Sequence, residues 1–369
     1  MAEWTGVISA TAPKYIKGAT DQTIRKRLVL ALLREYGMIK MNESSYQYTW
    51  QMEYSQPAVR QYGDAGDQTF SAHDALKQAT LDWRGYTVTD RMTKKQELMN
   101  KGIHALVNLY DSKIKRMTKS ITDKFGGEIY IDGNASGNEN RLHGLESFLA
   151  DDGNTAAGDR LAKPSDTYAG LSTVPGTYGG NWTSALGTGN YPNATLATDW
   201  PFGTGDTEYD FNSPKLVNWS STAWNAGGTT FEETCERALR QTTIWLTTSG
   251  GTEGRPTCYI LSSDLFGDFQ NFQAARNRIM VPHKEAQDLG FADALNFDGT
   301  IIKYEYDCPP GTGYGLNLHE MELSSLDSTL FRPDGPEWDI ESKSWLFEVG
   351  FFGNMKFGPK HFAKLDNYA

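Results

Sequence analysis

Three cysteines, six histidines and 46 acidic residues are the groups with which this 369-residue chain could do chemistry. Cys235, Cys258 and Cys308 are sparse and widely spaced, which fits neither a disulfide framework nor a metal motif and suits a reducing compartment. Cys258 lies in the apolar run "TCYIL" (257–261), the setting of an inert core thiol rather than a nucleophile. "HEMEL" (His319 to Leu323) has one histidine where a zinc-protease helix needs two, and the others are scattered, so no metal site is expected. Gly311-x-Gly313-x-Gly315 follows Pro309-Pro310 and reads as a turn. No glycine-rich loop ends in Gly-Lys-Ser/Thr, and no Gly-x-Ser-x-Gly elbow occurs. The pairs Asp151/Asp152, Glu232/Glu233 and Glu320/Glu322 arise readily by chance among 46 acids. The expectation is no catalytic, cofactor-binding or metal site, no cofactor and no enzyme activity, which shifts weight to a structural role.

Composition fits a folded protein. Hydrophobic residues are 38% and aromatics 12%, enough for a core and for large contact surfaces. The length allows two or three domains at roughly 100–200 residues each. A net charge of −11 argues against a protein whose main task is gripping nucleic acid, and it favours solubility through mutual repulsion. "MAEWTGVISATAPKY" lacks an apolar core of signal-peptide length, and no run reaches ~18 apolar residues, so neither secretion nor a membrane span is expected.

The elements that would position any surface are legible in the periodicity. In "SSYQYTWQMEY" (44–54), Tyr46, Tyr48, Trp50, Met52 and Tyr54 alternate with polar residues, a strand with one bulky apolar face. A second alternating run at 79–89 carries Leu81, Trp83, Tyr86 and Val88, with an irregularity at Gly85. Together they make an extended hairpin with a long polar tip, which needs another surface to lie on. Residues 1–19 read as an extended arm, and 21–36 as a helix capped by Thr20 or Asp21 and ended by Gly37. Thr93-x-x-Gln96 opens the clearest helix, 93–125, with Gly126-Gly127 as its stop. At about 1.5 Å per residue it is roughly 50 Å long. It carries eight basic residues against three acids, among them Lys101, Lys113, Lys115, Arg116 and Lys119. That face is solvated, opposed by acidic neighbours, or turned to a polyanion.

Residues 128–150 read as a strand, a turn and a short apolar segment. The 151–229 stretch holds twelve Gly and four Trp with little periodicity, an elaborate surface subregion. Residues 230–300 return to α/β structure, with a capping-box candidate at Thr230-x-x-Glu233, a buried strand at 257–261 and a helix after Ser262 to Asp264. "FDGTIIKYEYDCPPGTGYGLNL" reads as turn, strand, turn, strand, and "WLFEVGFF" (345–352) as a closing strand.

This order of elements resembles the major capsid proteins of tailed double-stranded DNA bacteriophages, with the Hong Kong 97-type fold. The likeness is carried by "LDWRGYTVTDRMTKKQELMNKGIHALVNLYDSKIKR" (81–116), "HGLESFL" (143–149), "CYILSSDLFGDFQNF" (258–272) and "FADALNFDGTIIKYEYDCPPGTGYGLNL" (291–318). It implies an α+β fold with an N-terminal arm and helix (1–43) and an extension-loop hairpin (44–92). A peripheral domain with spine helix and return strands (93–142 and 319–369) and an axial domain (143–318, with the insertion 151–229) complete it. It implies self-assembly into pentamers and hexamers of an icosahedral shell around DNA, in a virion assembled in the host cytoplasm. Portal, scaffolding and decoration proteins would be partners, without a membrane, and with scaffolding supplied by a separate protein. Tyr46, Tyr48, Trp50, Tyr54, Leu81 and Trp83 would meet a neighbouring subunit. Lys101, Lys113, Lys115, Arg116 and Lys119 would face packaged DNA without sequence preference. No motif supports a crosslink from Lys77. The competing reading is a secreted or surface carbohydrate-binding or carbohydrate-active protein, suggested by Trp182, Trp200, Trp219 and Trp224 and opposed by the absent signal peptide and the long basic helix.

Overall fold

The computed structural model describes residues 27–53, 75–99, 103–150, 166–173, 212–220, 230–275 and 295–367, with isolated positions between 57 and 72. The expected arm, Thr20, Asp21, Tyr54, Lys101, Trp182, Trp200, Trp224 and most of 151–229 lie outside these residues. Along the chain come α1 (Leu28–Glu35), β1 (Ile39–Lys40), β2 (Tyr48–Glu53), β3 (Leu76–Leu81), β4 (Arg84–Thr93), α2 (Lys94–Met99), α3 (Ile103–Glu128) and α4 (Glu146–Leu149). Then follow β5 (Thr167–Tyr168), β6 (Leu171–Ser172), β7 (Lys215–Asn218), α5 (Phe231–Gly250), β8 (Cys258–Leu261), α6 (Ser263–Ala275), β9 (Leu295–Phe297) and β10 (Thr300–Tyr304). The last strands are β11 (Gly313–Leu316), β12 (Met321–Ser325), β13 (Arg332–Asp339), β14 (Ser344–Phe357) and β15 (Ala363–Asp366).

Two sheets organise the molecule. In the first, β14 pairs along one side with β4 and along the other with β13 and β12, and β1 adds in parallel to β12. Phe347, Val349 and Phe351 of β14 point to the same side as Val88 and Tyr86 of β4, and α3 lies on them through Met117, Ile121 and Phe125. The rings of Phe125 and Phe351 meet edge to face at 4.7 Å. The second sheet runs β7-β15-β11-β8-β10-β9, and α5 and α6 pack on it around Trp245, Tyr259 and Phe269. After β11 the chain passes between the sheets twice, through short turns at Leu318–Glu320 and Pro359–His361. These turns are tied together where the Gly358 N–H donates to the Glu320 carbonyl at 3.0 Å. The final strand β15 pairs in the second sheet, between β7 and β11.

Several expectations are corrected. The two alternating runs form the expected antiparallel ribbon only as far as Leu81. Strand β2 pairs with β3, while residues 84–93 leave that ribbon and pair with β14 over ten positions. The break falls at Asp82–Trp83 rather than Gly85, and Gly85 lies under the Phe352 ring, 2.7 Å from where a Cβ would stand. The long helix is described as α2 and α3, and it continues through the expected stop at Gly126-Gly127 to Glu128. Gly126 is there for close approach: a Cβ would stand 2.4 Å from Asp307 and 2.5 Å from Arg27. The capping box at Thr93 and Gln96 forms, with reciprocal bonds of 3.2 and 3.4 Å. The one at Thr230 does not, since no side chain caps α5.

No strand follows α3 at 129–142. Ile129 and Tyr130 are both buried in turns, which removes the alternation that suggested one. Gly144 packs against the carbonyls of Glu128, Ile129 and Ile131, all within 2.6 Å of a notional Cβ. Helix α1 begins at Leu28, and Gly37 follows it with φ 69°, the left-handed conformation expected of a helix stop. No side chain within α1 caps it; Glu305, from beyond β10, accepts from the Leu28 N–H at 3.0 Å. Burial pushes the Glu305 carboxyl above its ordinary range.

Candidate functional site

The β2–β3 ribbon stands on a base made by its own chain. Tyr48 is 8% exposed, with its ring 5.4 Å from Trp50 and 5.2 Å from Trp83. Its hydroxyl donates to Glu322, which also pairs with Lys40 at 2.7 Å. Burial raises the Glu322 carboxyl, but the hydrogen bonds from Lys40 and Tyr48 outweigh it and hold the group below its ordinary range. Trp50 lies 6.2 Å from Tyr168, with the Lys356 ammonium 5.6 Å from its ring centre. Tyr168 is fully enclosed: its hydroxyl donates to the Met355 carbonyl at 2.7 Å and accepts from the Phe357 N–H at 3.1 Å. The Thr80 N–H donates to the Ala169 carbonyl at 2.9 Å, so the edge of β3 is bonded to the β5–β6 turn.

This placement gives part of the expected contact surface cover within the chain. Tyr48 and Leu81 are buried within the chain, and Trp50 and Trp83 are half-buried. None of the four waits wholly for a neighbour. Exposed apolar groups lie at the start of the ribbon and in the chain between its two strands: Tyr46 is 95% exposed and Phe70 90%, and Val59, Tyr62 and Leu76, the first residue of β3, are exposed as well. The expectation that β2 has one covered and one wet face is borne out, with Thr49, Gln51 and Glu53 exposed.

The basic helix is also partly occupied. Lys113 pairs with Asp90 at 2.7 Å and donates to the Arg91 carbonyl at 3.1 Å. Lys119 is half-buried and engaged. Lys115 and Arg116 are exposed next to each other in sequence. Near the helix end, Glu128 is fully buried and held by Lys124 (2.9 Å), Arg141 (2.7 Å) and the Tyr86 hydroxyl (2.8 Å). Burial pushes Glu128 up, but these partners prevail and keep it ionised below its ordinary range.

Nothing in the described residues gathers into a reactive centre. Cys258 is buried and its thiol is pushed up to about 12 by burial, so it is not a thiolate at neutral pH. Among the described residues, no group of three or more His, Cys, Asp and Glu is placed to hold a metal ion. No described helix is long and apolar enough to cross a membrane. "HEMEL" runs from a short turn into β12 and is not a helix. A groove of about 810 Å³ between the sheets is lined by Tyr36, Glu253, Arg255, His319 and Glu320. Arg255 in it is bound to the Asp298 carbonyl. Trp219, expected as a sugar platform in the competing reading, is buried and donates to the Gly311 carbonyl at 2.9 Å.

Sequence reasoning missed Tyr168, Glu322, Lys356 and Glu305. Tyr168 sits inside a Gly-rich stretch without periodicity, and the three charged residues gain their roles through partners 175 or more positions away, so no local signal marked them.

No family model matches the chain, and no curated protein matches it by sequence. Solved structures do. The capsid asymmetric unit of cyanophage A-1(L) is similar over 96% of each chain at 15% identity and a TM-score of 0.59. The capsid of an empty GTA particle is similar over 100% of this chain and 98% of its own, at 11% identity and a TM-score of 0.53. The capsid of the Myoviridae phage XM1 is similar over 96% and 97%, at 9% identity and a TM-score of 0.52. The mixed helix-and-sheet fold described above is the fold of these capsid chains.

Proposed function

We propose that this chain is a major capsid protein of a tailed bacteriophage, a shell subunit with the Hong Kong 97-type architecture. The observation that carries the proposal is the likeness of 96% of this chain to 96% of the cyanophage A-1(L) capsid chain. Residues 1–43 would be the N-terminal arm and helix and 44–92 the extension loop. The peripheral domain would be 93–142 and 319–369, and the axial domain 143–318.

The mechanism is assembly into pentamers and hexamers that close an icosahedral shell around double-stranded DNA. The ribbon is held at its base by Tyr48, Trp50 and Tyr168 and presents Tyr46, Tyr62 and Phe70 outward to a neighbouring subunit. Each such contact gains roughly 25 cal/mol per Å² of apolar area. Only a surplus survives ordering costs, and many heterologous contacts around closed rings add up. Of the basic set, Lys115 and Arg116 are the exposed pair placed to meet packaged DNA. Portal, scaffolding and decoration proteins complete the partners, in a virion assembled in the host cytoplasm.

Sedimentation velocity of the purified protein tests this. Rings and closed particles are expected; a species no larger than a monomer or small oligomer at every concentration would overturn the proposal. The burial of Trp219 leaves the carbohydrate reading without a supporting observation among the described residues.

A further inference from the structure

Helix α3 covers one face of the first sheet and the ribbon covers the β12 end of the other, through Glu322 and Lys356; among the described residues, the end of that face carrying Arg91, Leu346 and Glu337 is exposed. Helix α3 lies on Tyr86, Val88, Phe347, Val349 and Phe351, while the opposite face carries exposed residues of β4, β13 and β14. Register fixes what stands side by side there. Leu346 of β14 is directly opposite Arg91 of β4 on one side and Glu337 of β13 on the other. Directly opposed residues of antiparallel strands project to the same face. One row across the bare end of that face therefore reads cation, apolar, anion.

At about 4.8 Å between strands, Arg91 and Glu337 are roughly 10 Å apart with Leu346 midway. All three are exposed, Leu346 at 41%. Among the described residues, neither the Arg91 guanidinium nor the Glu337 carboxylate has a charged partner. Arg91 and Glu337 flank Leu346 without pairing with each other, and the row is complemented by a copy of itself turned through 180°. A two-fold axis lying between the two faces, parallel to the strands and over Leu346, brings Arg91 of one copy onto Glu337 of the other, twice, and Leu346 onto Leu346. Such an isologous contact requires a self-complementary patch, which this row is.

We propose that the bare end of this face of the first sheet is a two-fold contact between two copies of this chain, centred on Leu346 and closed by two Arg91–Glu337 pairs. Resting on the shell function proposed above, it names where one subunit meets the next outside the ribbon. Three strands' width is well below the about 800 Å² per partner of a standard stable interface. The contact is weak singly and effective when repeated over a shell. The neighbouring row adds Glu348 and Asp334, but Glu348 accepts from the Thr87 hydroxyl and Asp334 pairs with Arg332, so both are already occupied.

The test is a charge-swap cycle read as the concentration at which particles form, by light scattering at low salt. Arg91→Glu and Glu337→Arg are each expected to raise that concentration about tenfold. The double variant R91E/E337R restores both pairs and is expected to return within about threefold of the wild type. Leu346→Asp, which places two carboxylates on the axis, is expected to block assembly while leaving the thermal midpoint within a few degrees. If wild-type particles form and the double variant is as impaired as the singles, the contact is overturned while the shell function stands. If the wild type forms dimers that follow the swap pattern but no particles, the shell function fails and the contact stands. A wild type monomeric throughout overturns both.

Discussion

The ring of Tyr168 stands 6.2 Å from that of Trp50, while the Tyr168 hydroxyl bridges the backbone of Met355 and Phe357 in β14. The ribbon and the main sheet thus share one enclosed side chain. Tyr168→Phe keeps the ring and leaves a buried carbonyl and N–H without their partner, a loss of about 1–3 kcal/mol. Hydrogen exchange of the Thr80 and Trp50 amides should quicken in this variant while α5 amides change little. Uniform change across the chain would show that Tyr168 supports the fold generally and does not position the ribbon.

Tyr48 and Phe70 separate the base of the ribbon from its exposed part. Tyr48→Ala opens a cavity beside Trp50 and Trp83 and removes the donor to Glu322, so a loss of about 3–5 kcal/mol is expected in urea unfolding. Phe70→Ser touches an exposed group and should change stability by no more than about 0.5 kcal/mol. Its effect should appear in assembly, as a higher concentration for particle formation. Equal assembly by Phe70→Ser and wild type would remove that ring from the contact surface.

Gly126 and Gly127 are adjacent in α3 but differ in surroundings. A Cβ at Gly126 meets Asp307 and Arg27, whereas nothing lies within 4 Å of one at Gly127. Gly126→Ala should destabilise by about 1–3 kcal/mol through overpacking. Gly127→Ala should stabilise by about 0.5–1 kcal/mol through helix propensity. Thermal melts of the two variants should move in opposite directions; a shift of the same sign in both would contradict the packing described for the α3 end.

These two glycines also show what was legible in the sequence. Alternation in "WLFEVGFF" and "SSYQYTWQMEY" marked β14 and β2, because a half-buried strand must alternate. The Thr93–Gln96 signature marked the start of α2 because a capping box is local. Gly126-Gly127 misled because the same residue type serves a helix stop and a close packing site, and only the position of Arg27, 99 residues earlier, decides between them. The partner of each strand was likewise hidden. Residues 84–93 alternate equally well beside β2 or beside β14, and the choice rests on contacts some 260 positions away. The aromatic row reads as needing cover from a neighbouring subunit; Tyr168, which packs near Trp50 within the chain, lies in a stretch without periodicity.

His143 and His361 give the molecule a pH dependence. Burial lowers each ring from the ordinary value near 6.5 to about 4. The neighbouring Arg84 adds to this at His143, and Lys360 and Lys215 at His361. Both stay neutral in the folded chain while the unfolded chain takes up protons as pH falls through about 6.5. Stability is therefore full near neutral pH and falls between about 6.5 and 4, by up to about 3 kcal/mol for each ring. His143→Leu removes one of these protons, so its stability should fall less steeply than the wild type between pH 6.5 and 4.5. Parallel slopes in urea unfolding would contradict the buried neutral ring at His143.

Electron microscopy of the purified full-length chain at rising concentration tests the central claim most directly. Closed particles of uniform diameter, built of rings in which the ribbon of each subunit lies across the next, are the expected result. A monodisperse monomer with Tyr46, Tyr62 and Phe70 still open to solvent at the highest concentration would contradict it.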